Sequence, residues 1–169
     1  MHDTHMHRFI PCSRAHYVTG TWTMTAGAVA NTIAWSRAQA NASTVITFPI
    51  DIPMNDGPEK GALLTSVDIY FECLTAANDA VDALIYLAIL PIMGAAFAAP
   101  AAQVFTYDVG NDTGAERLTL DQHTMTLTLT TPIWIEDDHI VTVQLTIDAA
   151  ATSDITIFGA RANFTYRLG

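Results

Sequence analysis

Thr124, Thr126, Thr128 and Thr130 alternate with Met125, Leu127 and Leu129, and Val141, Val143, Leu145 and Ile147 alternate with Thr142, Gln144 and Thr146. A period of two describes a strand with one dry and one wet face, and threonine suits the wet side of a pleated surface. The same period puts Ile46, Phe48, Ile50 and Ile52 on one face over 44 to 52, with Pro49 marking an edge or a bulge. Over 63 to 74 it turns Val67, Ile69, Phe71 and Cys73 inward and Ser66, Asp68, Tyr70 and Glu72 outward. Further strands are expected at 21 to 25, 32 to 37, 82 to 90, 103 to 107, 122 to 131, 139 to 148 and 154 to 168. Asn55-Asp56-Gly57-Pro58 and the stretch from Asp108 to Gly114 supply turn chemistry, and Pro132 is expected to end the threonine-rich strand. In the last strand Ile155 and Ile157 lie on one parity and Phe158, Ala160, Ala162 and Phe164 on the other, so a bulge near Gly159 is expected. The unbroken apolar run from Ala83 to Leu90 reads as a strand buried on both faces. Eight to ten strands with no amphipathic helix predict an all-β chain, an antiparallel β-sandwich of jelly-roll type.

Two segments fall outside this rhythm. Residues 1 to 20 hold four of the six histidines with Phe9, Ile10 and Pro11 and show no clear period, which suits an extended N-terminal arm that docks on something; residues 21 to 169 form one sandwich domain. The Ala-rich stretch at 93 to 102 reads as a small-residue loop packed against a neighbour. Phe9, Ile10, Pro11, Met93, Phe97 and Pro100 are therefore the expected subunit-interface residues. From Ala83 to Tyr107 there is no charged residue, but Pro91, Gly94 and Pro100 interrupt the run and basic flanks are missing, so a sheet strand is favoured over a membrane span.

Charge narrows the partners. Seventeen acidic against seven basic residues give a formal net charge of -10, which repels a phosphate backbone and excludes nucleic acid. A mean hydropathy of +0.27 is high for a small monomer, so other copies of the chain are expected to cover part of its surface, as a trimer or a larger assembly. Cys12 and Cys73 are too few for a disulfide framework, and Cys73 reads as a buried free thiol. No cationic start followed by an apolar run opens the chain, so synthesis in the cytoplasm is expected if Met1 is the initiator.

Candidate chemistry is sparse. His2, His5, His7, Cys12 and His16 are residue types that bind zinc, copper or nickel, yet their spacing matches no defined site. The Asp108 to Asp112 loop and the pair Asp137 and Asp138 carry calcium-type oxygens, but Asp, Asn and Gly are also what turns require. Ser13, Ser36, Ser43, Ser66 and Ser153 lie in no strand-turn-helix elbow. No enzyme activity, cofactor or resident metal is implied.

The succession Gly61 to Phe71, then Ala115-Glu116-Arg117-Leu118-Thr119, then His123 to Leu129, closing with Gly159-Ala160-Arg161-Ala162 and Tyr166-Arg167-Leu168, resembles small β-sandwich proteins found among tailed-phage and prophage structural genes. The resemblance spans most of the chain beyond residue 20 and carries over strand patterns, without site signatures. It implies a virion component, a capsid decoration protein or a tail or fibre module, made in the host cytoplasm and contacting itself and other virion proteins. Two alternatives belong to other classes: an extracellular filament subunit that assembles by N-terminal strand addition, and a carbohydrate-binding or adhesive module with a groove lined by Tyr70, Tyr107 or Trp134.

Overall fold

The computed structural model describes residues 4–25, 33–37, 39, 41–52, 59–74, 78–91, 95–149 and 154–168. Twelve strands are formed among them: β1 (Thr4–Pro11), β2 (His16–Tyr17), β3 (Trp22–Thr25), β4 (Ala34–Arg37), β5 (Thr44–Ile50), β6 (Glu59–Cys73), β7 (Asn78–Ile89), β8 (Ala101–Gln103), β9 (Phe105–Tyr107), β10 (Gln122–Ile135), β11 (His139–Ala149) and β12 (Ile155–Leu168). One helical turn, α1 (Gly114–Arg117), precedes β10. Every pairing is antiparallel.

Sheet A runs β3-β4-β12-β6-β10-β9 with β1 also on β12, and sheet B runs β2-β5-β11-β7-β8. Without β1, β2, β3 and β9, the rest orders as β4-β12-β6-β10 facing β5-β11-β7-β8, with consecutive strands crossing between sheets except β7 and β8, which pair side by side. That is the double Greek-key winding of a jelly roll, the expected fold class. The alternating apolar positions face each other across the gap: Phe71, Val67, Met125 and Leu127 from sheet A meet Phe48, Ile85, Val143 and Leu145 from sheet B, all at most 2% exposed.

Four local features refine the sequence reading. The bulge expected near Gly159 is present, because the β12–β6 register slips between Ile157 and Gly159 and Gly159 takes φ +148°. Pro132 does not end β10, which continues to Ile135. A register shift between Thr128 and Ile133 absorbs the proline, and Thr130 there donates to the Val104 carbonyl (2.9 Å). The run at 82 to 90 is buried on one face only: Val81, Ala83 and Ile85 point inward, while Leu84 is 39% and Ile89 50% exposed. Sequence alone cannot separate the two cases, since apolar residues on the outer parity look the same whether or not they are covered.

The N-terminal segment is extended, as expected, and its pairing partner is the chain's own last strand. Thr4 to Pro11 run in register with Tyr166 to Gly159. Ile10, expected at a subunit contact, is instead fully buried in this chain's core opposite Ala160. Its inward parity and the flat, Cβ-free backbone of Gly159 let β1 lie close: a Cβ on Gly159 would stand 2.5 Å from the Ile10 carbonyl oxygen.

Candidate functional site

The uncharged stretch noted in the sequence covers most of β7, the exposed residues 95 to 100, β8 and β9, with 92 to 94 outside the described residues. β7 leaves sheet B at Ile89, Leu90 donates its N–H to the Asp138 carbonyl (2.7 Å), and residues 95 to 100 are all exposed before β8 rejoins β7 through Ile85 to Leu87. Phe97 is 73% exposed at the crest of this strap. Beside it Ile89, Leu90, Pro91, Ala95, Ala96 and Ala98 line an open hollow of about 410 Å³, with Asp138 the one charged residue among the described lining. On the sheet side, Tyr86, Pro100, Thr142 and Gln144 line a second hollow of about 350 Å³. Apolar crest and apolar recess thus sit side by side.

A buried polar plug fixes the strap's return. Past β8 the open edge of β7 is satisfied by side chains: Arg117 Nε donates to the Val81 carbonyl (2.6 Å), and the Ala83 N–H donates to the Tyr107 hydroxyl (3.2 Å). Arg117 is 7% exposed; it also donates to Asn111 O (2.8 Å), pairs with Asp82 (2.7 Å) and lies 4.3 Å over the Tyr107 ring. The α1 turn that carries it is set by a capping box between Thr113 and Glu116. Sequence reading missed this turn, although Thr113-Gly114-Ala115-Glu116 has the capping-box spacing that could have revealed it.

The outer face of sheet A is polar and cross-linked. Asp68, expected to face outward, is only 2% exposed because its neighbours close over it: Arg161 pairs with Oδ2 (2.7 Å), Asn163 donates to the same oxygen (3.1 Å) and Thr126 donates to Oδ1 (2.8 Å). The Asp68 hydrogen bond holds the Arg161 guanidinium more firmly protonated, while burial and then the Asp68 charge push the Tyr70 phenol up. Phe9 leans on Tyr70 with ring centroids 6.3 Å apart.

The remaining sequence candidates scatter. Phe9 is half exposed, Pro11 pairs with Gly159, Pro100 is exposed beside Tyr86, and Met93 lies outside the described residues. Phe97 and Pro100 share the exposed stretch 95 to 100; Phe9, Ile10 and Pro11 belong to the β1 seam. Tyr70, Tyr107 and Trp134 share no groove: Tyr70 sits opposite Thr124, Trp134 opposite Leu63 roughly 23 Å further along β6, and Tyr107 lies under Arg117. Asp108 spends both oxygens on the Thr126 N–H (2.7 Å) and the Asn111 amide (3.0 Å), which makes it a turn-fixing residue. Cys12 is buried and faces the Ile33 carbonyl, away from the exposed histidines, with its thiol pushed up by burial. Among the described residues no three His, Cys, Asp or Glu side chains are grouped to hold a metal, and no helix is long and apolar enough to cross a membrane.

No protein-family model and no curated protein sequence matches the chain. In fold it is similar to a carbohydrate-binding module of the β-sandwich superfamily, at 12% identity and TM-score 0.41, covering 96% of this chain and 56% of that one. It is also similar to the catalytic domain of Agl-KA, at 12% identity and TM-score 0.44, covering 92% of this chain and 27% of that one. A third is the family 11 carbohydrate-binding module from Clostridium thermocellum, solved with a mixed-linked tetrasaccharide, at 9% identity and TM-score 0.41, covering 92% and 94%. This chain thus spans just over half of the first and about a quarter of the second. At such identities the likeness describes the sandwich and not what its surfaces hold.

Proposed function

We propose that this chain is a non-catalytic structural module that assembles with copies of itself through the uncharged exposed surface at residues 95 to 100, as a component of a phage virion. One observation carries the reading: residues 95 to 100 are six consecutive exposed positions without a charge, contiguous with exposed Ile89 and Leu90. Contiguous exposed apolar surface of this kind marks a contact site. Copies carrying a formal charge of -10 repel one another wherever acids lie, so the uncharged exposed surface of Ile89, Leu90 and residues 95 to 100 is where two of them approach at least electrostatic cost. Phe97 and the adjoining recess give knob and hole on one surface, the self-complementary geometry a two-fold pair requires. The virion assignment draws on the strand-pattern resemblance and on the jelly-roll winding of the strands. It makes other virion proteins further partners and the host cytoplasm the place of synthesis. Light scattering on the full-length chain is expected to give a discrete oligomer that Phe97→Asp converts to monomer; a wild-type chain that stays monomeric at high concentration removes the reading.

A second reading rests on the hollow on the outer face of sheet B, where the Tyr86 ring lies beside the Thr142 hydroxyl and the Gln144 amide. An aromatic ring with adjacent polar groups is what a sugar surface needs, and this is where a carbohydrate-binding role would sit. A glycan array decides it: a ligand retained by wild type and lost in Tyr86→Ala favours this reading, and an empty array ends it.

A further inference from the structure

We infer that His5 and His7 form a seat for one divalent transition-metal ion, of the zinc type, on the outer face of sheet A. Standing two residues apart on β1, the two imidazoles share one face of the strand, His7 opposite Asn163 and His5 opposite Thr165 on β12. Buried Asp68 sets the chemistry of the first. Its carboxylate only accepts, so the Asn163 amide must turn Nδ2 towards it (3.1 Å) and towards the Ser66 hydroxyl (3.0 Å), leaving Oδ1 to face His7. That oxygen is 2.7 Å from His7 Nδ1, so Nδ1 carries the proton and donates, and the lone pair sits on Nε2, away from the sheet. His5 turns Nδ1 the same way, to the Thr165 hydroxyl at 3.4 Å.

Metal-binding imidazoles are held in this manner, one nitrogen tied to a polar partner and the other left as the ligand. Neutral imidazole nitrogen suits zinc, copper and nickel better than calcium or magnesium. Arg161, a nearby cation among the described side chains, is paired with Asp68, and the chain's formal charge of -10 favours a cation overall. Two ring nitrogens leave the remaining positions to water or to a residue of another copy. The Asp68–Asn163–His7 relay spans β6, β12 and β1, which is why the histidine spacing alone showed no defined site.

Isothermal titration of the full-length chain with zinc chloride is expected to give one ion per chain with a micromolar dissociation constant. His5→Ala and His7→Ala each weaken it at least roughly tenfold, and Asn163→Ala, which keeps both imidazoles, by about tenfold to a hundredfold. His2→Ala leaves it unchanged. Because Asn163→Ala also takes a partner from Asp68, the tautomer is read directly in the wild type: long-range proton–nitrogen spectra without metal show His7 protonated on Nδ1, and zinc shifts the Nε2 signal. Absence of binding, affinity unaffected by Asn163→Ala, loss of binding in His2→Ala, or His7 protonated on Nε2 would each overturn the assignment.

Discussion

Two stretches of this chain carry apolar side chains with no obvious place in a sandwich, and they meet opposite fates. Residues 4 to 11 lie along β12 in unbroken register and send Ile10 into the core, whereas residues 95 to 100 join no strand ladder among the described residues and leave Phe97 exposed. Both read from sequence as contact-making segments. What separates them is complementarity within the chain: β12 presents a free edge and a glycine at 159, so β1 has a partner at hand, while no described strand pairs with residues 95 to 100. Apolar content says that a surface will be covered, and only the local geometry says by what.

The closed member of the pair breaks most readily at Gly159. Gly159→Val forces a β-branched side chain into φ +148° and drives Cβ to within 2.5 Å of the Ile10 carbonyl and 2.8 Å of the Phe9 ring. The expected loss is at least about 3 kcal/mol, seen in urea denaturation as a lower midpoint. Ile10→Ala removes a fully buried side chain from the same seam and is expected to cost about 2–4 kcal/mol, measured in the same way. Values near zero for both would mean that β1 is not part of the folded unit.

Much of this was legible in the residues. Strict alternation in 124 to 130 and 141 to 147 located β10 and β11 and their inward faces, and the parity change between Ile157 and Phe158 located the bulge that lets β1 approach. The partner of β1 was not legible, because an isolated edge looks the same whether it pairs within the chain or with a neighbour. Nor was the plug at Arg117: a single basic residue in a polar stretch carries no sign of burial until the Val81 carbonyl on the open edge of β7 and the Asn111 carbonyl accept its hydrogen bonds. Of the candidate site, the exposure of Phe97 and Pro100 was readable because an uncharged run with no period rarely belongs to a core. Tyr86 was not, because its outer parity is hidden inside a continuous apolar string.

The two cysteines sharpen the contrast. Burial pushes the Cys73 thiol up to about 11, from 9.0. The folded value exceeds the unfolded one, so this contribution to stability is complete below pH 9 and drains away as pH rises towards 11, by about 2 kcal/mol in order of magnitude. Guanidinium midpoints across that range check it. Cys12, at the end of the β1 seam, is equally buried and also has its thiol pushed up by burial. If the seam is permanently closed, alkylation of the native protein labels Cys12 no faster than Cys73; selective labelling of Cys12 would instead reveal a β1 that leaves its own sheet, as strand exchange between filament subunits demands.

Phe97 gives the smallest effect on stability and the most discriminating one. At 73% exposure its ring contributes little to the fold of an isolated chain, so Phe97→Ser is expected to change the unfolding free energy by at most about 0.5 kcal/mol when measured at a dilution where the wild type is monomeric. At higher concentration the two proteins should part company, the wild type gaining midpoint with concentration and the variant not, because only the wild type couples folding to association. Ile10→Ala should show the reverse, a large loss that is independent of concentration. A concentration-dependent loss in Ile10→Ala together with none in wild type against Phe97→Ser would exchange the roles of the two segments, making β1 the contact and the strap mere surface.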